Sequence, residues 1–189
     1  MDPANYSVIE TLRDGRKVEI RAQRPQDREG LVAAISRMSD ETLYHRFFVA
    51  KHRLTEKEAA YFLNIDFANH VALVVVADED GTQAIVGGGR YIVLAPGRAE
   101  VAFAVIDEYQ GQGVGTALMR GLAAIAREAG IRELIAEVLA DNAAMLKVFT
   151  RSGLEMSTKY EGTIVHVTLR LHECVRSEEI EQRPSMGVI

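Results

Sequence analysis

Cysteine is nearly absent from this chain: Cys174 is the only one in 189 residues. That excludes an intrachain disulfide and favours a reducing, cytoplasmic compartment. No apolar run is long enough to cross a bilayer, since the longest, "VALVVVA" (71–77), is far below the roughly 20 residues needed. The opening "MDPANYSVIE" has neither the basic nor the apolar region of a secretory leader. A surplus of positive charge is missing as well. With 22 Lys and Arg against 27 Asp and Glu, the net charge is −5, which argues against a nucleic-acid partner and is compatible with a basic one. No pair of histidines has metal-ligand spacing and no second cysteine could complete a zinc site, so no metal is expected. Neither an internal repeat nor a low-complexity tract is visible.

What is present reads as one domain over 1–172, followed by a polar, flexible tail over 173–189. "IETLRDGRKVEIRAQ" alternates around Asp14-Gly15 and predicts a hairpin over about 8–23. Leu31, Ile35 and Met38 follow at helical spacing, and Ser39-Asp40-Glu41 opens a second helix. Thr55 with Glu58 has the pattern of a capping box for a third. Three strands then read as a meander: "NHVALVVVADEDG", "AIVGGGRYIVLAPG" and "RAEVAFAVID". The glycines at 87–89 in the second of them suggest a bulge or an unusually close neighbour. Beyond lies a helix with Val114, Leu118, Leu122, Ile125 and Ala129 on one face, stopped by Gly130. The strand "RELIAEVLA" comes next. Asp141 or Asn142 then caps a helix that turns Met145, Val148 and Phe149 inward and ends at Gly153. Two strands around Glu161-Gly162 finish the order. It specifies a mixed sheet covered by helices.

The informative stretch is "DEYQGQGVGTALM" (107–119), where Gly111, Gly113 and Gly115 stand between a strand and a helix. The first N–H groups of a helix lack internal partners and carry partial positive charge, so this arrangement suits an anion such as a diphosphate. A tight structural turn is the plainer alternative. The dinucleotide fingerprint is a rival, but its third glycine position falls on Thr116. The short stretch after Asp141, for its part, cannot complete a doubly wound sheet. A Walker lysine is absent too, because Thr116-Ala117 stands in its place.

Gln110-x-x-Gly113-x-Gly115 after "AFAVID" resembles the acetyl-CoA signature of the GNAT superfamily of N-acetyltransferases. "DNAAMLKVFTRSGLE" resembles that family's second motif, and the likeness covers about residues 17–170. A narrower resemblance joins "MSDETLYHRFF", "LTEKEAAYFLNIDF" and "AEVAFAV" to the acetyltransferase domain of bacterial Pat-type protein-lysine acetyltransferases. Many of those carry a fused acyl-CoA-synthetase-like region, for which this length leaves no room, so a free-standing relative is expected. The resemblance implies an α/β (α+β) domain with a mostly antiparallel sheet of six to seven strands and four to five helices.

It also implies the co-substrate acetyl-CoA. In the family the pantetheine pairs with the fourth strand, here 99–107, through Phe103 and Val105. The amides of Gln110, Gly111, Gln112, Gly113, Val114, Gly115 and Thr116 would hold the pyrophosphate, and Asn142 would lie beside the pantetheine. An amine near pH 7 must lose a proton before it attacks a thioester, so a base is needed. Glu100 resembles the family's glutamate, and strict alternation groups it with Ala102 and Ala104, unless a bulge breaks the parity. A solvent-facing glutamate is the plain alternative. A tyrosine often serves the family as acid seven residues after the Asn. Phe149 stands there, which leaves water or no acid at all. His45 is the best of the histidines as another base, though a surface or packing role is simpler, and His70 and His166 read as structural. Tyr44, Arg46, Phe47 and Phe48 are divided between core contacts and the wall of the acceptor groove, plain core being the better reading of Phe47 and Phe48.

The expected acceptor is a lysine side chain of a protein. The alternatives are a small amine or peptide N-terminus, and a catalytically silent acyl-CoA-binding module. Nucleic acid and membrane are not expected partners, and the protein is expected to be a monomer or homodimer.

Overall fold

The structure, a computed structural model, describes residues 2–48 and 55–171, without the side chains of residues 56–59. The expected tail with Cys174 and the Glu58 half of the capping box lie outside the described residues. Eight strands form one sheet: β1 (Ser7–Thr11), β2 (Lys17–Ala22), β3 (His70–Glu79), β4 (Thr82–Ala95), β5 (Arg98–Val105), β6 (Glu133–Leu139), β7 (Glu155–Glu161) and β8 (Ile164–Arg170). Among the described residues, five α-helices accompany it: α1 (Arg28–Ser36), α2 (Asp40–Phe47), α3 (Glu56–Leu63), α4 (Val114–Glu128) and α5 (Ala143–Thr150). None of the described helices is long and apolar enough to cross a membrane.

The strand order is β1-β2-β3-β4-β5-β6-β8-β7, and only β5 and β6 run parallel. Eight strands stand where six to seven were expected, because both arms of the first hairpin join the sheet, β2 pairing with β3. "VALVVVA" is β3, buried from His70 to Ala77, as a central strand covered on both faces must be.

At Gly87–Gly89 the structure contains both features that the glycines suggested. The β3–β4 register slips between Val75 and Val76, opposite Gly87 and Ile85, so Val86 is an extra residue. A Cβ on Gly89 would stand 2.6 Å from Phe103, and one on Gly87 would stand 3.0 Å from the Ala104 carbonyl. The slip also sorts the helices. Ile85 meets α1 at Gly30, while Gly89 meets α4 at Leu122, so α1 and α4 cover opposite faces. The core lies mainly beneath α4, where Val114, Leu118, Leu122 and Ile125 are buried. Ala129, expected on that face, is exposed, because the helix has ended at Glu128. Phe149 is fully buried against Phe103, ring centroids 6.1 Å apart.

The third meander strand stops at Val105 rather than at residue 107, since Asp107–Tyr109 is a 3-10 turn. That turn is tied to α1 and α2. Asp107 accepts from the Ser39 N–H (2.9 Å), the Ser39 Oγ–H (2.6 Å) and the Thr42 Oγ–H (3.1 Å). Tyr109 donates to Glu79, which Arg37 at the end of α1 grips with two bonds of 2.8 and 2.9 Å. Burial disfavours charge on Asp107, but the hydrogen bonds from Ser39 and Thr42 outweigh it and hold this carboxyl below its usual value.

Candidate active site

β5 and β6 pair at three positions only: Arg98 with Glu133, Ala99 with Leu134 and Glu100 with Ile135. After that β5 continues beside β4 and β6 beside β8 as far as Leu139, so the two strands part. The fork widens into a cleft of about 640 Å³, walled by residues 101–105 of β5, by Ala136–Val138, by the 110–116 loop and by the start of α5. Thr42, His45 and Arg46 of α2 wall the remaining side. Their spacing of three and four residues sets them on one helical face.

The glycines have two different tasks. Gly111 (φ 71°) and Gly113 (φ 101°) are in the left-handed region, which glycine adopts without a steric cost. Gly115 is a packing glycine, since a Cβ there would lie 3.0 Å from Val148 on α5. The Gln110 N–H is already donated to Asp107 O (3.1 Å), and Ala117 N–H bonds Gly113 O (3.0 Å). Among the described residues, the N–H groups of Gly111, Gln112, Gly113, Val114, Gly115 and Thr116 have no protein acceptor. Six donors at the head of a fifteen-residue helix make an anion cradle. The Gln110 side chain braces this loop, its Nε2–H₂ donating to Val105 O (3.1 Å) and Thr42 Oγ (2.9 Å).

Glu100 is exposed and lines the cleft. The β4–β5 register runs unbroken from Gly87–Val105 to Val93–Ala99, so the alternation holds and Glu100, Ala102 and Ala104 share a face. Phe103 turns the other way into the core, 8% exposed. It nonetheless lines the cleft. Asn142 caps α5, its Oδ1 accepting the Met145 N–H at 3.0 Å. That bond engages only the oxygen of a side chain that lines the cleft and whose Nδ2–H₂ is a further donor. His45 Nε2 lies 3.2 Å from Asp141 Oδ1, joining α2 to the turn before α5. Phe48, expected in the core, is half-buried and lines the cleft. It ends α2 in the left-handed region (φ 60°), which swings its ring out of register with the helix. Phe47 is half-buried against Phe62.

A forked sheet with a glycine-capped anion cradle at its opening matches a known family over residues 38–154, the Acetyltransferase (GNAT) family. The chain belongs to it. An acetyltransferase of Pseudomonas aeruginosa is 36% identical over 138 residues, 72% of this chain and 74% of that protein. Acetyltransferase Pat of Mycolicibacterium smegmatis is 34% identical over 144 residues, 75% of this chain and 42% of the longer relative. In crystal form, the GNAT domain of S. lividans PAT superposes with a TM-score of 0.79 at 36% identity, covering 87% of this chain and 97% of that domain. The protein is therefore a GNAT acetyltransferase.

Within this GNAT domain, sequence reasoning missed the cations around the cradle. Arg13, at the tip of the β1–β2 hairpin, donates from its side chain to Gly111 O (2.9 Å) and from its backbone to Gln112 O (3.1 Å). Lys147 and Arg151 of α5 line the same cleft. Nothing local marks Arg13, because a hairpin about a hundred residues upstream meets the loop only after the sheet forms. Arg151 and Lys147 did carry a signal: four residues apart, they share one face of the second motif's helix.

Proposed function

We propose that this GNAT acetyltransferase transfers the acetyl group of acetyl-CoA to a primary amine, the side chain of a protein lysine, by direct attack on the thioester. The observation that carries the reading is the set of unpaired amides from Gly111 to Thr116, opening onto a cleft that Glu100 also lines.

The residues present fit a nucleotide thioester of this kind. Unpaired amides at a helix head suit a diphosphate, and Arg13, Lys147 and Arg151 supply charge for phosphates around them. The edge of β5 beyond Glu100, which no longer pairs with β6, offers strand-like hydrogen bonds to an amide-bearing arm through the backbone of Phe103 and Val105, the Val105 O also accepting from Gln110. Asn142 adds a donor from the opposite wall. Acetyl-CoA supplies the activated acyl carbon and a thiolate leaving group.

Glu100 takes the proton from the attacking amine, directly or through one water. A backbone N–H of β5 stabilises the charge that develops on the acyl oxygen. Phe149 is buried in the core and has no hydroxyl, so protonation of the leaving sulfur falls to water. The lysine acceptor is favoured by the resemblance to Pat-type protein-lysine acetyltransferases, since this chain is 34% identical to acetyltransferase Pat over 144 residues.

Incubation with acetyl-CoA and a lysine-containing protein or peptide should release free thiol and raise the acceptor mass by one acetyl group. Binding of acetyl-CoA with no thiol release over lysine proteins, small amines and N-terminal peptides would overturn the reading. Comparing acetylated proteins in cells with and without this chain then identifies the acceptor.

A further inference from the structure

Arg90 of β4 stands across from Ala102 of β5, and the next pair on the same face is Ile92 with Glu100. On this face, opposite α4, a second cavity of about 80 Å³ lies under α1 and α2. Arg46, Ala102 and Ala104 line both this cavity and the main cleft, and Arg90 lines the smaller one. The two spaces adjoin along the small side chains beside Glu100.

Among the described residues, Arg90 is held by neutral groups. Its Nη1 is 3.1 Å from His70 Nε2 and 3.5 Å from Phe62 O, with the guanidinium 4.2 Å above the Phe62 ring. A guanidinium can only donate, so His70 Nε2 accepts and the imidazole is the neutral Nδ1–H tautomer. That N–H donates to Asn64 O at 3.2 Å. Arg46 lies 5.0 Å over the Phe47 ring. Among the described residues, neither arginine has a carboxylate within ion-pair distance, and the acidic charge that reaches Arg46 is Glu100. Burial, then the charge of Arg46, push Arg90 down to about 9, and burial lowers Arg46 also, against the pull of Glu100.

Two like charges set together and half-buried, with no carboxylate among the described residues in contact, are costly. Aromatic stacking recovers only part of that cost. An anion between them would remove it. Planar guanidinium forks match a planar carboxylate, and a cavity of about 80 Å³ limits the anion to one such group.

We infer that Arg46 and Arg90 receive a carboxylate of the acceptor, holding its amine beside Glu100. This rests on the amine-acetylation reading and narrows it to acceptors with a carboxylate near the reactive amine. The carboxylate is that of a free amino acid, or of an acidic residue flanking the acceptor lysine of a protein.

The test uses matched acceptor pairs with the full chain and acetyl-CoA. One pair is free lysine and lysine amide; the other is a lysine peptide flanked by glutamate and the same peptide flanked by glutamine. The carboxylate member of one pair should have a kcat/KM about 10- to 100-fold higher, and the pair that responds identifies the source. In Arg46→Gln and Arg90→Gln, checked for folding by acetyl-CoA binding, that ratio should fall towards one. Ratios near one in both pairs for the unmodified protein overturn the cradle, as does a ratio that survives both substitutions. Should no acceptor release thiol, acetyl transfer fails, while calorimetric binding of the same pairs still decides the cradle. Tighter binding of a carboxylate member, lost in the variants, upholds it, and equal binding sinks it.

Discussion

Glu100 and Ile135 are the last partners in the parallel pairing of β5 and β6. The proposed base therefore stands where the sheet forks, with two alanines beyond it on the same face of β5. Glu100→Gln keeps the shape and removes the proton acceptor. Turnover should fall about 10²- to 10⁴-fold, with the dissociation constant for acetyl-CoA unchanged. Rates that match the unmodified protein over the whole pH range would remove Glu100 from the mechanism.

Gly113 and Gly115 should fail for different reasons. Gly113→Ala forces a side chain onto φ 101° with open space around it. The loop must rebuild, and acetyl-CoA affinity should fall at least tenfold, with no second substitution at Val148 restoring it. Gly115→Ala instead meets Val148 at 3.0 Å. Val148→Ala in the same chain should recover most of its loss, because the clash is with one side chain. Calorimetric titration of the three variants with acetyl-CoA separates the two accounts.

His70 predicts a pH dependence of stability. Burial, then the charge of Arg90, lower its pKa from the ordinary 6.5. The unfolded chain thus binds a proton more readily than the folded one between the depressed folded value and about 6.5. Stability should rise with pH across that window and level off above it, and it should be lost on acidification. Urea unfolding from pH 5 to 8 reads this slope, and His70→Gln should flatten it. A slope that persists in the variant assigns the effect to another group.

Tyr91 is wholly buried, and among the described residues its hydroxyl has no hydrogen-bond partner. Burial pushes that hydroxyl up to about 12. An unpaired buried hydroxyl costs about 1–3 kcal/mol, so Tyr91→Phe should raise stability by about 1 kcal/mol. Thermal or urea unfolding measures it, and a drop in stability would mean that the hydroxyl is satisfied.

Local chemistry made most of the scaffold legible. The Asp14-Gly15 turn, the Ser39 and Asn142 caps, the glycine stops and the period changes all act within a few residues, so each element can be read one at a time. Glu100 was legible for the same reason. The alternation that groups it with Ala102 and Ala104 survives because the β4–β5 register is unbroken beside it. Ala129 and Phe48 were misassigned because helix ends depend on where the last backbone bond forms, which periodicity does not mark.

The amino-acid order alone determined the strand, the glycine turn and the helix that leave a row of amides unpaired, since these follow from backbone sterics and side-chain period. It also set the alternation that groups Glu100 with Ala102 and Ala104, which the unbroken β4–β5 register preserves. Tertiary structure alone decided that β5 and β6 separate after Glu100, and that Arg13 arrives from a distant hairpin at the glycine loop. The same holds for Arg46 and Arg90, brought together from α2 and β4 with no carboxylate among the described residues in contact. Those are juxtapositions of segments far apart in the chain, set by sheet order and helix docking, and no local propensity encodes them.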